Sequence, residues 1–583
     1  MNGFPHNQTS FAKSLMLGFK ELPDLSLSRL RKVFSLLGKG EKITLAILAA
    51  LAIVSLGISA ANFYYSHTVS VPSQGGTYSE GILGQPTYLN PLLASQEPDL
   101  SLTNLIFSGL YKYDSNGQLV PDLADGMPVI SADQKQYTIN LKHNAKWQNG
   151  KPVTADDVVF TIQTLQDPDF KSPLRAAWQS DSVSKLSDYS VQFTTQDISG
   201  PFLQKLTVGI LPKGIWGGIE GQNFLQSKYN LEAVGSGPYS VKQIKKLPSG
   251  KVEQISLQAY GDYYGGRPGI NEIDIKFYDN DTDLPNAYHS REILGFGFSP
   301  LTSGLDTQNN LPQSKSLSIP LQQYQAVFFN LNNAILSDQT IRQALALATD
   351  RKAIIDQIFK GQAILPVSPF VFNDPSSRQV LPSDTDLSQA KSLLDQAGWI
   401  VDPKTGLRAK KGQPLSLTLS TSDSSVNSST AQLLASQWSQ LGIKVSLAIL
   451  PNQLLTDNTI KPRNFDVLLY PQKFGADPDP FHFWHSSQIK DPGLNLTGFS
   501  DPTVDQLIVD AETTTNYQLR AQDYQQISGL ILAKTPVLFL DQAVYQYIQD
   551  ADVKNVSINS LYDSSQRFDG VESWYMDTRR VWK

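Results

Sequence analysis

Between Ile43 and Ala61 the chain reads ITLAILAALAIVSLGISAA, 19 residues without a charge. No Asp, Glu, Lys or Arg follows until Glu80. Coiled as a helix, such a run matches a hydrocarbon core of roughly 30 Å. Residues 1–42 carry Lys13, Lys20, Arg29, Arg31, Lys32, Lys39 and Lys42 against Glu21, Asp24 and Glu41, a net of +4 that leaves −10 for the rest. A basic flank on the N-terminal side alone places 1–42 in the cytoplasm and everything after the run outside. Phe63, Tyr64 and Tyr65 suit the outer interface, so 43–65 reads as a single-pass cell-membrane anchor. Ser59 and Ala61 offer a small-x-small cleavage site, but a 42-residue leader is long for a signal peptide, and the uncleaved anchor is the preferred reading. Residues 25–39 (LSLSRLRKVFSLLGK) have the apolar and basic spacing of a helix lying on an anionic leaflet, or equally belong to a disordered tail.

The remaining chain is long enough for more than one core: 583 residues in all, 40% hydrophobic and 10% aromatic. A net charge of −6 provides no basic surplus for nucleic acid. The absence of cysteine removes disulfides, thiolate metal sites, Cys nucleophiles and a lipid carried on an N-terminal Cys. Residues 66–76 (SHTVSVPSQGG) lack periodicity and read as a tether. Beyond them strands alternate with capped helices. Thr154 precedes DDVVFTIQTLQ with Asp157 three residues on, an N-cap signature. LSLTLS (415–420), TAQLLASQWSQL (430–441) and IKVSLAIL (443–450) form a βαβ unit, which predicts parallel strands, and FDVLLY (465–470) reads as a further strand. Asp338 and Asp350 are placed to cap successive helices, with Gly361 closing the second. This alternation implies α/β lobes. No nucleophile elbow, P-loop or HExxH motif points to an enzyme.

Seven ordered blocks carry a resemblance. They are GGTYSEGILGQPTYLNPLLASQEPDLSLTNLIFSGLYKYD from 75, PDLADGMPVISADQKQYTINLKHNAKWQNGKPVTADDVVFTI from 121, GSGPY from 235, DYYGGRPGINEIDIKF from 262, FFNLNNAILSDQTIRQALALATDRKAIIDQIFKGQA from 328, DLSQAKSLLDQAGW from 386 and GADPDPFHFWHS from 475. Over about 74–580 the chain resembles the family 5 extracellular solute-binding proteins, the oligopeptide- and dipeptide-binding components of ABC transporters. The resemblance implies a two-lobed, periplasmic-binding-protein-like α/β fold with an extra subdomain in the first lobe. Lobe I is expected to take 77–325 plus 541–583, with an insert at about 111–230, and lobe II to take 326–540. It implies a monomer without a cofactor, outside the cytoplasm, that closes on an oligopeptide or similar small solute and passes it to permease subunits.

The resemblance also points to ligand contacts. In relatives an Asp of the GADPDP segment pairs with the ligand's α-ammonium, which implies Asp477 or Asp479, held by Pro478 and Pro480; alternatively these acids only cap the next helix. Asn495 and Phe499 occupy an "N-x-x-x-Y" position, Tyr88 and Asn90 the "P-x-x-L-N-P" turn, and Trp484, read chiefly as lobe core, is counted with them. Asp477, Asp479, His482 and His485 also offer donors for a metal, so a nickel or nickel-chelate carrier stays open beside a surface module uncoupled from transport. Dipeptide binders hold the ligand carboxylate with an Arg, whereas STSDSSVNSSTAQ (420–432) has none, which favours longer peptides or another solute.

Overall fold

The computed structural model describes residues 35–115, 117–299, 311–366, 369–370, 385–475, 477, 479–559 and 561–583. Most of the basic tail, and Pro478 of the acidic segment, lie outside them. Two compact units are present, one of 1–71 with 578–583 and one of 72–577. In the first, helix α1 (Lys39–His67, 29 residues) contains the uncharged run and buries none of its side chains. It is long and apolar enough to cross a membrane. The segment expected to be an irregular tether is ordered instead. Thr68–Pro72 forms a strand paired with Thr578–Trp582, and the Arg580 guanidinium lies 4.5 Å from the Tyr65 ring centre. A partner 500 residues away leaves no local signal at 66–76.

The larger unit is two-lobed around one sheet. Its strands are β1 (Gly75–Leu83), β2 (Tyr239–Lys246), β3 (Val252–Ala259), β4 (Ile270–Tyr278), β5 (Gly295–Phe298), β6 (Ser314–Phe329), β7 (Ser416–Ser422), β8 (Lys444–Leu450), β9 (Val467–Lys473) and β10 (Val537–Asp550). Their spatial order is β8-β7-β9-β6-β10-β5-β1-β4-β3-β2, with Ala363–Ile364 also paired to β10. β7 and β8 are parallel in the register Leu417↔Val445 and Leu419↔Leu447, as the βαβ reading requires. Their crossover helix starts at Ser425, five residues before the expected start, because the Ser424 hydroxyl caps the Asn427 N–H.

The long strands β6 and β10 belong to both lobes. Ile319, Tyr545 and Tyr547 lie in the first lobe's core, while Val327, Leu538 and Leu540 lie in the second. Between these parts the β6–β10 register slips twice, at Pro320/Tyr324 and at Gln325/Ala326. Such irregularities bend paired strands, and here they mark where one lobe gives way to the other. The first lobe also carries a four-stranded antiparallel sheet (Val129–Ile130, Gln136–Asn140, Ser190–Thr195, Asp181–Ser187) covered by the helix Ala155–Gln166. That helix begins as expected, with the Thr154 N–H donating to Asp157 at 2.9 Å.

The GSGPY turn shows why its glycines are needed. A Cβ on Gly235 would lie 1.9 Å from the Ile106 carbonyl oxygen, so backbone approach, not a left-handed dihedral, excludes a side chain. Gln148 seals the same contact by donating to the carbonyls of Ile106 (3.1 Å) and Tyr239 (2.6 Å) while accepting from the Gly235 N–H. Gly235→Ala is therefore expected to destabilise the protein by about 1–3 kcal/mol in urea unfolding.

Candidate functional site

A cavity of about 410 Å³ opens in the first lobe beside the C-terminal segment. Its walls come from helix α2 (Glu97–Ile106), the strand Tyr111–Tyr113, residues 204–209 and residues 562–572. The last segment holds only short 3-10 turns, Ser564–Phe568 and the start of Val571–Ser573, and Arg567 anchors it. Its guanidinium, 1% exposed, donates to Glu80 on β1 at 2.5 Å, and to Glu97 (3.3 Å) and Ser101 (3.2 Å) on α2. Tyr547 on β10 donates a further 2.8 Å bond to Glu80, and Tyr78 another. A buried guanidinium holds its position when its planar fork is matched by acceptors, as here.

The cavity wall mixes polar and apolar groups and carries both signs of charge. Lys112 lies 2.9 Å from Glu572 and 3.9 Å from Asp122. Asp569 accepts from Asn104 at 2.8 Å, and burial pushes its carboxyl up to about 7. A second, small cavity shares Tyr113, Tyr562, Gln566 and Asp569 with the first and reaches Gln322 on the crossing strand β6.

Asp477 stands at the junction of the lobes. Gln204, which lines the large cavity, donates to its Oδ2 at 2.8 Å. From the second lobe come Arg520, which forms an ion pair with the same oxygen, and Tyr524, whose hydroxyl reaches Oδ1 at 3.3 Å. Asp477 and Arg520 side chains are each 7% exposed. Asp477 thus already has an internal cation, but its Oδ1 keeps unused acceptor capacity, since an ionised carboxylate offers about four lone-pair sites. Asp479 takes the other part expected of this segment. Its Oδ1 accepts from the Phe481 N–H at 2.9 Å at the start of the turn Phe481–Trp484.

Asp479 also faces Glu512, at the end of the helix Pro502–Glu512. Burial, and then the charge of Asp479, pushes Glu512 up to about 8. An unfolded Glu titrates near pH ~4.3. The folded chain therefore holds the extra proton between these values. This contribution to stability is complete below about pH 4 and is lost as the pH rises through about 8. Glu512→Gln, which cannot ionise, is expected to lose less stability than the parent between about pH 4 and about pH 8 in urea titrations.

The other expected residues lie elsewhere. Asn495 is fully buried; its amide donates to the Phe499 carbonyl (2.8 Å) and those of Trp484 and His485, and its oxygen accepts from the Phe499 N–H. Trp484 and Phe499 pack edge to face in the second lobe's core with centroids 6.1 Å apart. These three are brought together as the internal support of the loop, away from the cavity walls. Asn90, also buried, accepts from Leu92 N–H and bonds Asn230, shaping its turn, and the Tyr88 N–H donates to Asp99. His485 stacks on Phe481 and bonds Ser487; among the described residues no three His, Asp or Glu side chains are grouped as metal donors. Gln204, Arg520, Tyr524, Glu512 and Asp569 were not foreseen. The i, i+4 spacing of Arg520 and Tyr524 put them on one helix face, but nothing local linked that face to Asp477.

Residues 118–493 match the family described as bacterial extracellular solute-binding proteins, family 5. The chain belongs to that family. This family 5 member is 28% identical over 519 residues to the oligopeptide-binding protein AppA of Bacillus subtilis, covering 86% of this chain and 94% of AppA. The structure of that AppA in complex with a nonapeptide superposes with a TM-score of 0.63 at 26% identity, over 87% of this chain and all of the other. NikZ of Campylobacter jejuni, in complex with Ni(L-His), superposes with a TM-score of 0.64 at 25% identity, over 86% of this chain and 99% of NikZ.

Proposed function

We propose that this family 5 protein captures peptides between its lobes outside the cytoplasm and delivers them to an ABC permease. The observation that carries this reading is Asp477. It is a nearly buried carboxylate at the lobe junction, with one oxygen taken by Arg520 and Gln204 and the other accepting from the Tyr524 hydroxyl with acceptor capacity left for a ligand ammonium. A charge-assisted hydrogen bond of that kind, shielded from water, is strong and directional. The adjoining cavity of about 410 Å³ lies within the range of pockets that enclose small ligands, which supports a short peptide or a short stretch of a longer one. The slipped β6–β10 register supplies a place for the lobes to hinge. The peptide name of the Bacillus relative agrees with this reading, and the nickel-histidine complex of NikZ supports the alternative cargo, a metal chelate.

In this reading α1 holds the binder at the membrane as an uncleaved anchor. Sequencing the N-terminus of the protein from its own membranes tests that part: an intact leader is expected, and a mature N-terminus at Asn62 would establish cleavage. Calorimetric titration with di- to pentapeptides and with nickel-histidine tests the cargo. Peptide binding with a negative heat-capacity change is expected, whereas binding of the chelate alone would overturn it.

A further inference from the structure

The outer end of α1 is met by the segment Thr578–Lys583, and together they form a collar. The Trp582 ring lies edge to face on Tyr64 with centroids 5.9 Å apart, and 6.4 Å from Phe63. Arg580, two residues earlier and so on the same face of its strand, stands over the Tyr64 and Tyr65 rings at 5.9 and 4.5 Å. Its guanidinium donates to the Tyr65 and Thr68 carbonyls, each at 3.1 Å, and the Lys583 N–H donates to the His67 carbonyl at 2.9 Å. The last carbonyls of a helix have no partners within it, and here the far end of the chain supplies them.

The collar presents rings and cations to its surroundings. Phe63, Tyr64, Tyr65 and Trp582 are 41–64% exposed, and Arg579, Arg580 and Lys583 are exposed beside them. No Asp or Glu occurs in 62–71 or in 578–583. The receptor has the opposite sign: with +4 on 1–42 and +3 on 578–583, the net of −6 leaves −13 for 72–577. Such a body is repelled by an anionic surface within a Debye length of about 8 Å, and the collar places the attracting sign at the outer end of α1. Rings with polar tips and cations on apolar stems are the groups that a headgroup layer accommodates. They follow directly on an uncharged run of 19 residues, Ile43 to Ala61, that fits the hydrocarbon core.

We propose that the collar binds anionic lipids of the outer leaflet, with Arg579 and Lys583 on their phosphates and Trp582 seated among the headgroups. The segment Thr578–Lys583 then adds a second lipid contact to that of α1, drawn from the opposite end of the chain. The placement rests on the reading of α1 as an uncleaved anchor.

The test reconstitutes the full chain in vesicles of equal parts phosphatidylcholine and phosphatidylglycerol, with bromine on the acyl chains of one lipid or of the other. Bromine quenches tryptophan on contact, and the difference between the parent and Trp582→Phe isolates Trp582 from the other seven tryptophans. Quenching at Trp582 is expected, about twofold or more stronger from the brominated phosphatidylglycerol. Arg579→Gln combined with Lys583→Gln is expected to remove most of that excess and to leave peptide affinity unchanged. No quenching at Trp582, equal quenching by the two lipids, or an excess undiminished by the double substitution would overturn the collar. Failure of the anchor reading is distinguished by the protein from its own membranes. If that chain begins at Asn62, its flotation with phosphatidylglycerol vesicles but not with phosphatidylcholine vesicles sustains the collar without the anchor. Any other flotation result then overturns both.

Discussion

Arg567→Leu is expected to lower the unfolding free energy by about 3–5 kcal/mol, the cost of breaking a buried ion pair from one side. Glu80, fully buried, would keep only the hydroxyls of Tyr78 and Tyr547 as donors, and Glu97 would lose its cation. Urea unfolding followed by circular dichroism reads the loss. Arg567→Met combined with Glu80→Gln is expected to recover most of it, because removing both charges is far less costly than stranding one. The single variant should also weaken ligand binding beyond its effect on stability. Arg567 ties the segment 564–572 to α2, and that segment supplies Ser565, Gln566, Phe568 and Asp569 to the cavity wall. A variant with parental stability would show that the Glu80 network contributes nothing to the lobe.

Asp477→Asn is expected to cost peptide affinity 2–5 kcal/mol, a factor of roughly 30 to several thousand, if its carboxylate receives the ligand's α-ammonium. The substitution keeps the shape and a hydrogen bond to Arg520, which alanine would not. N-acetylated peptides provide the control. They lack the ammonium, so parent and variant should bind them alike. The ion pair with Arg520 makes this comparison necessary, since a general disturbance of Arg520 and Tyr524 would lower the affinity for both peptide classes. An equal loss for free and acetylated peptides would assign Asp477 to structure.

The parts of this molecule legible in its sequence are those set by neighbours along the chain. The helix Lys39–His67, long and apolar enough to cross a membrane, followed from one uncharged run. The Thr154–Asp157 cap, the helices begun by Asp338 and Asp350, and the parallel β7–β8 pair followed from local spacing. The crossover helix was foreseen too short because SSVNSS reads as loop when the Ser424 cap is not recognised. The strand at Thr68–Pro72 was missed because its partner lies at the far end of the chain. The same limit applies to the site. The acidic segment was identifiable, but Arg520 lies 43 residues from Asp477 and Gln204 lies 273 away. Asn495, Trp484 and Phe499 were expected as ligand contacts from the resemblance; that they face one another inside the loop depends on packing that spacing does not encode.

Peptide capture is tested most directly by mass spectrometry of what the protein carries when purified under non-denaturing conditions from its own cells. Peptide capture predicts that acid denaturation releases short peptides with free α-amino groups. Release of a nickel chelate, or of no peptide from a protein that still binds its cargo, would contradict it.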